Sequence, residues 1–503
     1  MRTAAWIVAS LLAVALILLA LSCGGDDGTG PESQNTAPTA SFTASPSAGT
    51  TSTTFQVNAS GSSDAQDAVS VLQVRWDWEN NGTWDTPWST TKTASHLYAT
   101  PGTKTIKLEI KDTGGLTDTT TRTVTVTTDT PEGPHSYVVD PNHPADFSQI
   151  QAAIDVASPG DTVNLVDAIF TGDGNRDISY RGKGVTVRSL SRNPTACVID
   201  CMGSPDSTHR GFDFISEEDA SAVLEGVTIR NGYVSGFYGR QGMGAAIRCE
   251  RSSPTIRNCV FEGNTAAGDG GHGGGILCYN GSSPMIVGCV FRGNRADMGG
   301  GGAYCWHASN PTFVDCSFLD NLGSGIDCDV NGNATFTRCL FLRNLPAVSL
   351  YASEPLFEYC VFLDNEDGVV CSEDGNARFE SCTFAGNTGK SVYCLNASPT
   401  FASTIIAFTK ARNEYAPGPA FRCETRWGGV SDPLLTCCDL YGNTGGDWTG
   451  CVADQEGVSG NVSVDPLFCD LMNGNVSLRA DSPCLSSSVC GTVGAEGQGC
   501  SKR

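Results

Sequence analysis

The chain has 503 residues, with 54 acidic against 31 basic side chains, a formal charge of −23, 59 glycines and 23 cysteines. That length exceeds one compact core, so at least two folded units are expected, and abundant glycine with only 6 methionines points to a mostly β protein. So acidic a surface repels nucleic acid and anionic membranes, which excludes both as partners, and it suits divalent cations.

Arg2 and an apolar run from Ala4 to Leu21, ending at Ser22 and Cys23, open the chain. A charged start and a short hydrophobic core have the form of a signal peptide over residues 1–22. Cys23 then heads Gly-Gly-Asp-Asp-Gly, and the whole resembles a bacterial lipoprotein signal. The resemblance implies cleavage before Cys23 and lipidation of that residue; the alternative is an uncleaved membrane anchor. Either way the rest of the chain is expected to be exported, to the cell envelope at the outer membrane or cell surface. Its contact with membrane would run through the anchor alone. Residues 23–36 are Gly, Asp, Ser, Thr and Pro without an apolar period, a flexible linker.

From residue 37 to 128 short alternating runs appear: Phe55-Gln-Val-Asn, Val74-Arg-Trp-Asp-Trp, Thr105-Ile-Lys-Leu-Glu-Ile and Thr123-Val-Thr-Val. Period-two alternation broken by Gly, Pro, Asn and Asp turns predicts a β-sandwich. Ala37-Pro-Thr-Ala-Ser-Phe, Trp76-Asp-Trp-Glu-Asn-Asn-Gly, His96-Leu-Tyr and Lys111-Asp-Thr-Gly-Gly-Leu together resemble the successive motifs of a PKD domain. The resemblance implies an immunoglobulin-like spacer or binding module. Within it Asp77, Glu79, Asn81 and Asp85 place oxygens on alternate residues around Gly82, a spacing that would take calcium, the one cofactor the sequence suggests. Asp and Asn also dominate ordinary turns, and both readings stand.

A short polar link, residues 129–136, leads to Tyr137-Val-Val-Asp and then to a run in which Ile150, Ala153, Ile154 and Ala157 share one helical face. One amphipathic helix before the first strand of a solenoid is a suitable lid for its open apolar end. Asp146-Phe-Ser-Gln-Ile-Gln-Ala-Ala-Ile-Asp followed by Pro159-Gly-Asp-Thr-Val resembles the opening of right-handed parallel β-helix proteins of the pectin-lyase-like type. Val166-Asp-Ala-Ile-Phe stands where pectin methylesterases carry Gly-x-Tyr-x-Glu, so that activity is not implied.

Between residues 252 and 401 the phrase Cys-x-Phe-x-x-Asn recurs, with Cys259, Cys289, Cys316, Cys339, Cys360 and Cys382 spaced 30, 27, 23, 21 and 22 residues apart. Such steps are the repeat length of a stacked β-solenoid, assigned to residues 137–436. Ile256 and its equivalents fall three residues before each cysteine, so a corner is needed between them if both point inward. A further strand carries Ile247/Cys249, Ile276/Cys278, Ala303/Cys305, Ile326/Cys328, Val348/Leu350, Val369/Cys371, Val392/Cys394 and Phe421/Cys423. Leu350 in that row shows that the position wants a buried apolar group, and the row is read as free thiols acting as small hydrophobes. Asn264, Asn294, Asn321, Asn344, Asn365 and Asn387 close each phrase at a turn, where Asn tolerates left-handed backbone and its amide can bond the next rung. Phe-x-x-Asn followed by Gly-Gly-Gly-Ile or Gly-Gly-Ala-Tyr resembles the repeats of polymorphic outer-membrane adhesins. Irregular cysteines from Cys437 onward (Cys438, Cys451, Cys469, Cys484, Cys490, Cys500) predict disulfides in a C-terminal cap, residues 437–503.

Outward positions hold the chemistry. Asp320, Arg343 and Asp364 recur at one place on consecutive rungs; they read either as a carboxylate pair around a guanidinium or as a surface charge ladder. Tyr279, Tyr304, Trp306, His307, Asp327, Asp329 and Tyr351 lie on the outward side of the further strand and in the turn that follows it. Aromatic faces beside acids suit sugar rings, against scattered surface aromatics as the plain alternative. Glycine-rich excursions at 268–275 and 299–302 could wall one side of this strip. No zinc spacing, phosphate loop or nucleophile motif stands out. The expectation is an all-β, surface-anchored, non-catalytic binding or adhesion protein whose partner is a polysaccharide or cell-surface glycan. A polysaccharide lyase or glycoside hydrolase is the alternative, with Asp327, Asp329 and His307 as its residues.

Overall fold

In a computed structural model of the chain, residues 34–128, 133–143, 145–236, 242–414, 417–486 and 489–501 are described. Residues 1–22, expected to be a signal segment, Cys23 and most of the two expected linkers lie outside them. The chain divides into two units between Pro131 and Glu132.

The first unit is a two-sheet sandwich. Thr43–Ser45, Thr54–Asn58 and Thr93–Leu97 form one sheet; Ala48–Thr50, Thr117–Thr127, Gly102–Lys111 and Gln73–Asp77 form the other. Their inward alternation buries Phe55, Val57, Trp76, Ile106, Leu108, Ile110, Val124 and Val126 in one core. Tyr98 donates its hydroxyl to the Trp78 carbonyl at 2.8 Å inside that core.

The second unit is a parallel β-helix with three long sheets of 12, 11 and 10 strands. One rung shows the plan. Thr312–Val314 lies in the first sheet, Ser317–Leu319 in the second and Ile326–Asp329 in the third, each paired in register with its equivalent one rung on. Asp315, at φ 53°, supplies the corner between the first two. Ile256 and Cys259 therefore both point inward, and so do their equivalents.

Two columns of phenylalanine fill the interior. Phe291, Phe318, Phe341 and Phe362 stack at 4.7, 5.0 and 4.8 Å between ring centroids, and Phe313, Phe336, Phe357 and Phe379 at 4.9, 4.6 and 4.9 Å. The columns meet edge to face, as Phe336 and Phe341 do at 67°. Each fully buried ring contributes on the order of 1.5–3 kcal/mol by area alone. Gly302 lies beside a column so closely that a Cβ would sit 2.8 Å from the Phe318 ring and 2.3 Å from the Gly325 carbonyl oxygen, which explains the glycine pair there.

The asparagine row is an internal ladder. The Asn321 amide donates to Asn344 Oδ1 at 2.9 Å and to the Phe291 carbonyl at 3.0 Å, while its Oδ1 accepts from the Asn294 side chain and backbone at 3.2 and 3.0 Å. The left-handed residue at this corner is not the asparagine. It is the residue before it: Gly263, Gly293, Asp320, Arg343, Asp364 and Gly386 have φ between 52° and 64°.

The cysteines sort by position. Cys259, Cys289, Cys316, Cys339, Cys360 and Cys382 are buried free thiols, as are Cys249, Cys278, Cys305, Cys328, Cys371 and Cys394. Cys423, expected in that row, is instead bridged to Cys451. Cys437–Cys490 and Cys469–Cys500 are the other disulfides among the described residues, while Cys438 and Cys484 are buried and free. Cys438 takes the same interior position two rungs beyond Cys382, with Thr404 on the rung between them, and Asp439–Tyr441 is still a strand of the second sheet, so the regular array runs past residue 436.

The helix Ile150–Val156 buries Ile150, Ala153 and Ile154 at the first rungs, with Ala157 buried just beyond its end. At the far end Trp448 and Val452 join the main core. The rest of the C-terminal segment does something the irregular cysteines did not reveal. It folds back over the outer face of the second sheet, packing Val476, Leu478 and Val493 on Val361, Leu363, Ala385, Ile405 and Ala407.

Candidate functional site

The third sheet carries two outward columns. Leu277, Tyr304, Asp327 and Ser349 are register partners in one, and Tyr279, Trp306, Asp329 and Tyr351 in the other. Strand alternation alone sets this arrangement.

The structure separates the aromatic strip into a wall and a platform. Tyr304 is only 3% exposed, buried with Leu277 and Met243 under the glycine-rich excursion and covered by the His272 ring at 4.3 Å. It is therefore not an exposed sugar platform. Its hydroxyl donates to Asp329 Oδ2 at 2.8 Å. Tyr279, Trp306 and His307 form the platform, with ring centroids 5.0 Å (Tyr279–Trp306), 5.5 Å (Tyr279–His307) and 4.4 Å (Trp306–His307) apart. Tyr351 stands one rung beyond Asp329 and is 48% exposed. A shallow cavity of about 320 Å³ adjoins the platform, lined by Asn280, His307, Ala308, Val330 and Asn331.

Both acids of the strip are perturbed. Burial pushes Asp327 up to about 7, against the hydrogen bonds of Ser324 and Ser349 that favour its charged form. Burial also raises Asp329, partly offset by the Tyr304 hydroxyl. Ser324 donates to Asp327 Oδ1 at 2.9 Å and itself accepts the Gly300 N–H at 2.9 Å. Asp327 Oδ2 lies so close to Gly299, at φ 151°, that a Cβ there would be 1.8 Å away. The glycine excursion thus walls the strip at Asp327. Asp329 Oδ1 and His272 Nδ1 are buried without a hydrogen-bond partner among the described residues. His272, Ser324 and Ser349 escaped the sequence reading because they sit in turns or in a different rung; a lone histidine inside a glycine run was the available signal.

The Asp320, Arg343 and Asp364 row lies elsewhere, at the left-handed corner after the second sheet. Arg343 grips Asp320 through two bonds of 2.6 and 3.0 Å, and Lys410 reaches Asp364 at 2.8 Å across the intervening Gly386. Pairing of both acids with exposed cations makes this a surface ladder. In the first unit the carboxylates of Asp77, Glu79 and Asp85 lie within 4.8 Å of one another, a set that could hold a hard cation. Both Asp77 oxygens already accept turn amides, of Asn81 at 3.1 Å and Gly82 at 2.9 Å, and the Asn81 side chain caps Thr83, which keeps it out of the set.

Residues 35–128 match the family described as PKD domain, and residues 178–354 the family described as right handed beta helix region. The chain therefore carries a PKD domain followed by a right-handed β-helix. Among solved structures it is similar to one reporting the promiscuous specificity of carbohydrate-binding modules of the β-sandwich superfamily, at 36% identity and a TM-score of 0.18, covering 20% of this chain and 38% of that one. It is also similar to the PKD1 domain of Vibrio anguillarum Epp, at 27% identity and a TM-score of 0.15, covering 19% and 99%. A third is the Yersinia enterocolitica family 28 exopolygalacturonase, at 9% identity and a TM-score of 0.39, covering 81% and 93%. No curated protein matches the chain.

Proposed function

We propose that the protein is a glycan-binding protein of the cell envelope, tethered through a lipid on Cys23 and using the outward face of the third sheet to hold a polysaccharide or cell-surface glycan. The platform of Tyr279, Trp306 and His307 carries this reading. Three neighbouring rings supply apolar faces for sugar rings, and the adjoining cavity offers the amides of Asn280 and Asn331 to hydroxyls. A glycan array probed with the full chain and with Trp306→Ala tests it. Binding by the parent that falls about fivefold or more in the variant is expected, since a stacked ring is worth on the order of 1 kcal/mol. Equal binding by both, or none by either, would overturn the reading.

A second reading is favoured by one observation, the raised pKa of Asp327 at about 7, where a carboxyl can act as a proton donor. In it Asp327 and Asp329 cleave the bound chain. Release of oligosaccharides by the parent but not by Asp327→Asn would establish it over simple binding.

A further inference from the structure

Two to three rungs before the aromatic strip, a different set of side chains meets at a cavity of about 320 Å³ lined by Asp177, Thr208, His209, Arg210, Val234 and Ser235. His209 is fixed there by its backbone, which exchanges hydrogen bonds with Tyr233 at 2.9 and 2.8 Å. Its Nδ1 lies 2.6 Å from Asp177 Oδ2. Its Nε2 lies 3.0 Å from Ser207 Oγ. Asp177 is in turn held rigidly: its Oδ1 accepts the Arg210 N–H at 2.9 Å, and its own N–H donates to the Arg210 carbonyl at 2.8 Å. Asp177 occupies this position in a left-handed conformation, φ 52°, that an aspartate adopts at some cost.

The consequence is a defined tautomer. A carboxylate accepting at Nδ1 places the proton there and leaves Nε2 as the acceptor, facing the Ser207 hydroxyl. A hydroxyl, a base within hydrogen-bond reach and a third group orienting that base are the geometric requirements of an activated nucleophile. Ser207 is exposed at the tip of a turn closed by its own bonds to Ser204, of 2.9 and 3.1 Å, so a substrate can reach it. Neither the order Asp177, Ser207, His209 nor the local sequence matches a nucleophile motif, which is why the arrangement appears only once the chain is folded.

We propose that Ser207, His209 and Asp177 form an acyl-transfer site that hydrolyses esters of short acyl groups. Ser207 Oγ adds to the ester carbonyl carbon while its proton passes to His209 Nε2. The C–O bond to the alcohol breaks, and the alcohol leaves with that proton. Water, deprotonated by His209, then attacks the acyl-serine; the carboxylic acid departs and Ser207 Oγ regains its proton. Ester and water give acid and alcohol, and no cofactor is consumed. Ser207 is exposed on its turn, which suits a short acyl group, and the cavity beside His209, with a lining polar apart from Val234, suits an alcohol rich in hydroxyls. This site is independent of the aromatic strip.

The full chain is treated with a fluorophosphonate probe, in which serine oxygen displaces fluoride, and separately with p-nitrophenyl acetate. Peptide mapping should find the phosphonate on Ser207, and ester turnover should fall at least about 100-fold in Ser207→Ala and His209→Ala. Asp177→Asn keeps an acceptor for the Arg210 N–H and should lose turnover while melting as the parent does. Ser207→Ala removes only an exposed hydroxyl, so its folding is a fair reference. An unlabelled Ser207, or turnover unchanged in Ser207→Ala, would overturn the proposal and leave the three residues as a tie within the loop.

Discussion

The asparagine ladder shows how a single residue type can carry a repeat. Each interior amide is satisfied on both sides, so removing one leaves several buried groups unpaired at once. Asn321→Ala would strand the Asn294 backbone and side-chain donors and take the amide donor from the Phe291 carbonyl, while Asn344 Oδ1 keeps the Asn321 backbone N–H at 3.1 Å. A loss of about 3 kcal/mol or more is expected, since an unsatisfied buried polar group costs roughly 1–3 kcal/mol. Urea unfolding checks it; a loss under about 1 kcal/mol would mean that water replaces the amide. The ladder was legible because register repeats, and register is what sequence shows well. The left-handed backbone one residue earlier was not, because Asp320, Arg343 and Asp364 carry no glycine signal there. Nor was the burial of Tyr304: alternation correctly turns it outward, but a loop from a neighbouring rung covers it with His272.

Elements add a pH dependence at the C-terminal end of the solenoid. Asp439 opens the last strand of the second sheet, Asp439–Tyr441, and is fully buried; its Oδ1 accepts the Val464 N–H at 3.0 Å and its Oδ2 lies 3.3 Å from Cys484 Sγ. Burial pushes it up to about 7. A carboxyl with a folded pKa above its unfolded value of about 4 binds its proton more tightly in the native state. Its contribution to stability is therefore full below about pH 4 and is lost as pH rises through 7. Asp327 acts in the same direction. Thermal melts should give a lower midpoint at pH 8 than at pH 5, and Asp439→Asn should shrink that difference without abolishing it. A midpoint that rises with pH, or a difference untouched by the variant, would contradict the burial of this acid. The thiol rows behave differently: burial pushes Cys249, Cys328, Cys360 and Cys371 well up, so native alkylation should leave them unmodified.

At the scale of the molecule, periodicity revealed the sandwich, the solenoid and the helix over its first rungs, because each follows from a local pattern of period two, of rungs, or of 3.6 residues. The course of the last forty residues was hidden, since nothing periodic links Val476 or Val493 to the distant strands of Val361, Ala385 and Ile405. The outward apolar residues of the second sheet were the overlooked sign: Val361, Leu363, Ala385, Ile405 and Ala407 are buried although their strands alternate toward solvent. The segment covers them, anchored by Ala495 N–H to Thr383 Oγ1 at 2.9 Å and Gly494 N–H to the Ser403 carbonyl at 2.8 Å, and bridged by Cys437–Cys490. Removing residues 464–501, with Cys437→Ser to avoid a free thiol, should keep the rungs and expose this face. The strand signal in circular dichroism should persist while the shortened chain binds a hydrophobic dye and self-associates. Adding Leu363→Thr and Ile405→Thr should restore a monomer. If truncation instead abolished the strand signal, the segment would be part of the solenoid's folding core rather than a cover laid on its side.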